Sequence, residues 1–213
     1  MTSKFREILK KVWKFIWDND SPLSWALNIL IAFFLVKFII YPGLGLVLGT
    51  THPVVAVVSG SMEHDGSFDD WWQSQAYCDG SSCTQEQWYA DHGVSKETFE
   101  AYKFKNGFNK GDIMVLIGAE PKTIKIGDVI VFMSHERSDP IIHRVMNITG
   151  NATDNENDTL VFQTKGDHNV DSGEGLDTDI DETSILGKAI FRIPYLGWIK
   201  IAAVSLFDTI KGS

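Results

Sequence analysis

Three short segments of the sequence contain the residue types of a nucleophile, a base and an acid. Ser61 follows an apolar run and Gly60, which permits a tight backbone turn. His143 lies between two apolar residues on one face of a predicted strand. Asp167 and Asp171 belong to an acidic turn that follows the next predicted strand. A serine, a histidine and an aspartate in this order can form a charge-assisted triad, in which the histidine accepts the serine proton and the aspartate orients the histidine.

Each of these signals also has an ordinary structural explanation. Ser-Gly-Ser is a common turn, a histidine between apolar neighbours is usually a satisfied core residue, and an acidic turn is usually solvated. A serine–lysine mechanism with Lys165 or Lys188 as the base also stays open. Other histidines lie in polar or loop contexts that would control their orientation less: His52, His64, His92, His135 and His168.

Of the two aspartates, we expect Asp171 to orient His143 and Asp167 mainly to hold the turn. The carboxylate of an aspartate inside the Lys165-Gly166-Asp167 turn can accept hydrogen bonds from nearby backbone amides, which leaves it less free to face another strand. Asp171 would be freer to reach another strand, although an exposed loop carboxylate is the alternative interpretation.

The N-terminal part of the chain predicts a membrane anchor that would hold this chemistry at a bilayer. Residues 1–20 contain five cations, whereas residues 21–62 contain a single charge, Lys37. Pro42 and the glycines after it predict that the helix ends near Tyr41, which gives about 20 residues, or roughly 30 Å of helix. Cations before the span and acids after it predict a cytoplasmic N-terminus and an extracytoplasmic body. The apolar stretch is too long and starts too late for a cleaved signal peptide.

Beyond the anchor, the hydrophobic pattern predicts a mostly β domain. The apolar period changes from 3.6 to 2, and Gly-Asp turns separate short β-branched runs. The predicted strands are Val54–Val58, Ile113–Ile117, Val129–Met133, Ile141–Ile148, Leu160–Thr164 and Ile185–Ile193.

The chain therefore divides into four predicted parts. A cytoplasmic amphipathic segment (1–20) precedes the transmembrane anchor (21–48), and a C-terminal membrane-associated helix (194–213) follows the extracytoplasmic domain (49–193). The C-terminal run is short for a second span, and an interfacial helix is the interpretation we prefer over a tilted span or a core helix.

An insertion, residues 64–108, interrupts the β domain with aromatic and acidic residues and a predicted helix around Ser95–Lys105. It could rest on the membrane through its tryptophans, bind a partner, or cap the β core. Cys78 and Cys83 lie within it, and their short separation in an oxidising compartment predicts a local disulfide.

Composition excludes other classes of protein. The net charge of −9 and the sequence pI of about 5.1 argue against nucleic-acid binding. No Cys/His cluster has the spacing of a structural zinc site, and no metal or other cofactor is expected.

Five motifs in order resemble type I signal peptidases, in particular their archaeal and endoplasmic-reticulum branch. The resemblance covers the anchor and almost all of the domain outside the insertion. The motifs are Ser59-Gly-Ser-Met-Glu, Asn109-Lys-Gly-Asp-Ile, Ile126-Gly-Asp-Val-Ile-Val-Phe, Ile142-His-Arg-Val and Thr164-Lys-Gly-Asp.

This resemblance implies a membrane-bound serine endopeptidase that removes signal peptides from exported preproteins, as a single polypeptide of the archaeal form. It implies Ser61 as nucleophile, His143 as general base, and the Ser61 amide with the Ser59 hydroxyl as oxyanion hole. Val57 and Val58 would line shallow pockets for small substrate residues. The implied partners are signal-peptide-bearing preproteins and membrane lipid, and association with the protein-export channel is compatible with them.

Two features depart from the family pattern. His64 stands where a proline commonly follows Ser-Met-Glu, and the insertion separates the nucleophile from the next Gly-Asp turn. Neither touches the expected triad, but a non-catalytic, anchored module whose insertion binds a surface partner stays open as an alternative.

Overall fold

The computed structural model describes residues 6–7, 10–11, 13–15, 17, 21–134, 137, 139–150, 159–173, 175–198 and 201–202. The chain forms two compact units, Met1–Val47 and Leu48–Ser213. The predicted C-terminal helix lies largely outside the described residues.

The helical region Pro22–Leu48 is the part of the described chain that is long and apolar enough to span a membrane, with a mean hydropathy of 2.2. Ser21 caps its first turn by accepting a hydrogen bond from the Ser24 amide. At 27 residues it is about 40 Å long. Length and composition therefore support the predicted anchor.

The prediction that this helix ends near Tyr41 is wrong. An α-helix runs over Pro22–Leu35, a π-helical turn over Val36–Ile40, and a second α-helix over Tyr41–Leu48. Proline lacks an amide hydrogen and its ring clashes with the carbonyl four residues earlier. The wider π-turn, in which the Tyr41 amide donates to the Val36 carbonyl, lies just before Pro42. A π-turn at this position accommodates the proline without ending the helix.

The second unit is built on an antiparallel sheet, which confirms the mostly β fold. Seven of its described strands pair in the order β1-β4-β9-β5-β6-β7-β8, and β2 and β3 form a separate hairpin. The strands are β1 (Val54–Ala56), β2 (Gln75–Cys78), β3 (Ser81–Thr84), β4 (Ile113–Ile117), β5 (Val129–Phe132), β6 (Ile141–Thr149), β7 (Val161–Lys165), β8 (Ile180–Asp181) and β9 (Ile185–Ile193).

The six predicted strands all form, with ends that differ by no more than two residues. Register shifts interrupt the β4–β9, β5–β9 and β6–β7 pairings. Bulges of this kind bend and twist a sheet, and this sheet curls around its apolar residues. The largest buried side chains of this core include Phe108, Phe132 and Phe162.

The insertion has an aromatic core of its own, packed against Met146 of β6. Trp71, Trp72 and Trp88 are each no more than 2% exposed, so these tryptophans are not available to rest on a membrane. Its helices are Phe68–Trp72, Gln85–Asp91 and Lys96–Glu100, the last one shorter than the predicted Ser95–Lys105.

The β2–β3 hairpin lies within this insertion. Cys78 and Cys83 form a disulfide across it, as predicted.

Candidate active site

Ser61, His143 and Asp177 form a continuous hydrogen-bonded line. Nε2 of His143 lies 3.1 Å from Oγ of Ser61, and Nδ1 of His143 lies 2.5 Å from Oδ1 of Asp177. His143 is 3% exposed and Asp177 is fully buried. With Nδ1–H donating to the carboxylate, Nε2 is left to accept the serine proton. The geometry is that of a base poised against a nucleophile and oriented by an acid.

β6 positions His143 in the middle of the sheet. Its neighbour on β5 is Ile130, and the following residue, Arg144, pairs with Lys165 of β7. Because β6 is paired on both sides, the backbone at His143 is held rigidly, and the imidazole is directed by the strand.

The turn after β1 presents Ser61. The Glu63 amide donates to the Gly60 carbonyl at 3.0 Å, and the Ser61 carbonyl accepts from the His168 amide at 2.9 Å. The next residue, Met62, is fully buried and anchors the turn in the core. The nucleophile candidate is therefore fixed on both sides while its own side chain reaches the surface of a cleft.

Asp177 is the site residue that the sequence analysis missed. Its Oδ1 also accepts from the Thr164 hydroxyl at 2.6 Å, and its Oδ2 accepts from the Gly173 amide at 3.0 Å. Burial works to raise the pKa of Asp177, but the hydrogen bonds from His143, Thr164 and Gly173 favour the charged form and hold the pKa below its ordinary value. The carboxylate is thus ionised at neutral pH beside the imidazole.

The expected contact between Asp171 and His143 does not form. Asp171 is exposed, and its Oδ1 accepts from Nε1 of Trp88 at 2.9 Å and from the Ser172 amide at 2.7 Å. The loop instead turns back through a hydrogen bond from the Asp177 amide to the Gly173 carbonyl. This turn brings the later aspartate to the imidazole.

Asp167 does not contact His143 either and is a structural ion-pair partner. It is fully buried and accepts from Nε and Nη2 of Arg144 at 2.9 and 2.6 Å. The Tyr89 hydroxyl and Nε2 of His64 also contact its carboxylate. Burial acts to raise the pKa of Asp167, but Arg144 and His64 outweigh it and hold the pKa well below its ordinary value. These bonds join the Asp167 carboxylate to β6 through Arg144 and to the insertion through His64 and Tyr89.

The two lysines considered as alternative bases have other partners. Nζ of Lys165 is buried and donates to Oε1 of Gln85 at 2.8 Å and to the Gly166 carbonyl at 3.2 Å. Burial lowers the pKa of Lys165 to about 7, against the raising effect of nearby aspartates. Nζ of Lys188 donates to Asp128 at 3.1 Å. Among the described residues, neither ammonium group contacts Ser61.

The other histidines also have partners away from the candidate nucleophile. They are His52 beside Thr51, His64 on Asp167, His92 on the Trp88 carbonyl and His168 near Asp65, while His135 lies outside the described residues.

A cleft of about 260 Å³ opens beside Ser61 and His143. Val57 and Val58 are among its lining residues, and Val57 is 2% exposed whereas Val58 is 54% exposed. Oγ of Ser59 lies 3.2 Å from Oγ of Ser61. Within the described part of the chain, the Ser61 amide donates to no protein acceptor. Both candidate oxyanion donors therefore adjoin the nucleophile.

A β domain with a buried histidine–aspartate pair beside a cleft serine has the arrangement of a serine hydrolase. No family model matches the chain. The human signal peptidase complex catalytic subunit SEC11C is 25% identical over 166 residues, which cover 76% of this chain and 62% of the relative. SEC11 of Scheffersomyces stipitis is 25% identical over 173 residues, which cover 79% of this chain and 75% of the relative.

The chain is thus a homologue of signal peptidase catalytic subunits, as the resemblance implied. The alignment spans about three-fifths of the length of SEC11C.

Proposed function

We propose that this protein is a membrane-anchored serine endopeptidase that removes N-terminal signal peptides from exported preproteins. The observation that carries the proposal is the line from Oγ of Ser61 through His143 to Asp177, in a chain homologous to signal peptidase catalytic subunits. The catalytic roles of Ser61, His143 and Asp177 are part of the proposal, and Asp177 takes the role first expected of Asp171.

In the first half of the reaction, Oγ of Ser61 attacks the scissile carbonyl carbon while Nε2 of His143 takes the hydroxyl proton. Asp177 stabilises the imidazolium that forms. The carbonyl oxygen gains the negative charge and accepts from the Ser61 amide and the Ser59 hydroxyl. When the tetrahedral intermediate collapses, the carbon–nitrogen bond breaks and the imidazolium gives its proton to the leaving amine of the mature protein.

In the second half, water replaces the amine. His143 takes a proton from the water as its oxygen attacks the acyl carbon, and then returns a proton to Oγ of Ser61 as the ester bond breaks. The signal peptide leaves with a carboxylate end, and the serine is regenerated. The atoms and protons of both half-reactions are therefore accounted for by the substrate, water and the chain's own groups.

The anchor and the disulfide support an extracytoplasmic orientation. The cationic segment before the helix favours a cytoplasmic N-terminus by the positive-inside rule. The Cys78–Cys83 bridge is typical of an oxidising compartment. We therefore place the domain on the outer side of the cell membrane, with lipid and the emerging signal peptide as its partners and with the export channel as a neighbour, in the single-polypeptide form typical of archaea.

Cleavage of a radiolabelled preprotein by the detergent-solubilised protein tests the proposal. We expect the wild type to release a signal peptide and a mature fragment of defined N-terminus, and Ser61→Ala and His143→Ala each to reduce cleavage to background without altering the thermal melt. Members of a triad act as a unit, so each single loss should be nearly complete. Cleavage that persists in Ser61→Ala would refute the assignment of the nucleophile.

A further inference from the structure

We propose that the insertion acts on the cleft through Gln85, a positioning residue that fixes the cleft wall formed by Asn169 and thereby sets which substrate residues fit. This role rests on the proposed function. It gives the insertion a task in substrate selection, beyond covering the sheet.

Gln85 is a fully buried amide whose hydrogen bonds lead to the cleft loop, residues 165–171. Its Nε2 donates to the Asn169 carbonyl at 3.0 Å and to the Gln75 carbonyl at 3.3 Å, and its Oε1 accepts from Nζ of Lys165 at 2.8 Å. A buried amide is costly unless its polar atoms are paired. These bonds therefore set the distance between the helix Gln85–Asp91 and the cleft loop.

Other hydrogen bonds from the insertion hold the cleft loop on both sides of Asn169, and before it Nε1 of Trp71 donates to the Asp167 carbonyl at 3.0 Å. Nε1 of Trp88 donates to Asp171 at 2.9 Å, and the Tyr77 amide donates to the Val170 carbonyl at 2.8 Å. Among the described residues, Gln85 is the insertion side chain that hydrogen-bonds to Asn169 itself.

The cleft loop in turn contacts the candidate active site. Asn169 lines the cleft beside Ser61 and His143. The His168 amide donates to the Ser61 carbonyl at 2.9 Å. A Cβ atom at Gly166 would lie 2.7 Å from both Nδ2 of Asn169 and the Ser61 carbonyl oxygen, so these groups are in close packing contact. A shift of the loop therefore moves the wall and the nucleophile turn together.

Lys165 adds a buried amino group to this connection. Its Nζ lies 4.9 and 5.1 Å from the ring centroids of Trp88 and Tyr89, both in the insertion. Gln85 supplies the shortest hydrogen bond to this buried nitrogen, at 2.8 Å, beside longer bonds to the Gly166 and Asp167 carbonyls at 3.2 and 3.4 Å. Loss of that acceptor leaves a buried donor short of a partner, which favours movement of the loop toward water.

The expected consequence is a loss of selectivity rather than a loss of chemistry. Gln85 touches none of the three residues Ser61, His143 and Asp177, so kcat for a small-residue substrate should change little. A mobile Asn169 wall would admit a larger side chain. Discrimination by pocket size is worth about 10- to 200-fold, and we expect Gln85→Leu to reduce the preference for alanine over leucine before the cut by about tenfold, mainly through KM.

Gln87→Leu is the matched control, because it makes the same substitution in the same helix. Gln87 is exposed and its Oε1 accepts from the Thr84 amide at 3.0 Å as part of a capping box. Its loss weakens the helix start by about 1 kcal/mol but breaks no bond to the cleft loop. If Gln85→Leu does not fold, Gln85→Glu serves instead, since it keeps an acceptor for Lys165 and loses the donor to Asn169.

Two measurements on the full chain test whether Gln85 positions the cleft wall and sets selectivity. The first is kcat and KM for two preproteins that differ only in alanine or leucine before the cut. The second is hydrogen exchange at the His168 and Asn169 amides, which donate to the Ser61 and Gly166 carbonyls. We expect faster exchange and lower selectivity in the Gln85 variant, and neither change in Gln87→Leu.

The inference is wrong if Gln85→Leu and Gln87→Leu show the same exchange rates and the same preference for alanine over leucine. It is also wrong if exchange is faster in Gln85→Leu while its preference for alanine is unchanged. If the wild type cleaves no preprotein, the proposed function fails. Hydrogen exchange then still decides whether Gln85 positions the wall, because unchanged exchange in its variant excludes that role and faster exchange supports it.

Discussion

Replacement of Asp177 by asparagine is the sharpest test of the site, because it removes the charge and keeps the shape. Oδ1 of Asp177 accepts from both His143 and Thr164, and Oδ2 accepts from the Gly173 amide. An asparagine has one acceptor oxygen for these three donors. If its NH₂ group replaces Oδ2, two donors face each other at Gly173. If the NH₂ group replaces Oδ1, it donates to Nδ1 of His143 and places the imidazole hydrogen on Nε2. In that tautomer Nε2 cannot accept the serine proton.

Both arrangements also lose the negative charge that stabilises the imidazolium. A charge-removing substitution at the acid of such a triad lowers kcat by a factor on the order of 10⁴. At 1.36 kcal/mol for each factor of ten, this corresponds to about 5 kcal/mol of transition-state stabilisation. We expect a loss of this size for Asp177→Asn, measured as kcat on a radiolabelled preprotein with a thermal melt of each variant.

Asp171→Asn is the matched control. Its amide oxygen can still accept from Nε1 of Trp88, so we expect kcat within about twofold of the wild type, since a surface substitution that keeps its hydrogen bond changes little. The reasoning would be refuted if Asp177→Asn retained more than about a tenth of the wild-type kcat, far above the loss expected for the triad acid. It would also be refuted if Asp171→Asn were the more damaging change.

Three further substitutions probe the surroundings of this triad. Thr164→Val removes a donor that lowers the pKa of Asp177, so the stability that this ionised carboxylate adds above its ordinary pKa of 3.8 should shrink, and thermal melts should lose less stability on acidification than those of the wild type; an unchanged acid dependence would exclude this role of Thr164. Asp167→Asn leaves the buried Arg144 without a counter-charge and should lower the free energy of unfolding by about 3–5 kcal/mol in denaturant titrations. An unchanged free energy of unfolding would show that the ion pair is solvated and does not stabilise the fold. The pKa of Lys165 is about 7 in the fold, against an ordinary 10.5, so the unfolded chain binds more protons between these values and stability should rise with pH there. Lys165→Met should flatten that rise in thermal melts and keep cleavage, whereas abolished cleavage with an unchanged melt would favour lysine as the base.

Local patterns in the sequence were sufficient to predict an apolar helix of membrane length and the strands of the sheet, and the family resemblance added two members of the candidate site. An apolar run of membrane length and an alternation of period 2 depend on neighbouring residues, so they can be interpreted without knowledge of the rest of the fold. Ser61 and His143 became candidates because each lies on or beside a predicted strand and within a motif that resembles the family pattern.

The third member of the site was decided by tertiary structure. Asp171 and Asp177 belong to one acidic loop, and no local pattern distinguishes them. Asp177 is selected because Thr164 on β7 and the turned-back Gly173 amide supply donors that stabilise its buried charge. Those donors meet only after the loop has closed on the sheet.

The end of the anchor helix and the role of the insertion were likewise beyond the sequence. Proline and glycine after Tyr41 predict a helix end, but the preceding π-turn relieves the proline clash, and such a turn has no simple residue signature. Aromatic residues in the insertion were equally compatible with membrane contact and with a core. The outcome depended on whether enough partners lay in contact to bury them, and the fold provides those partners through Met146 of β6 and through the aromatic side chains of the insertion itself.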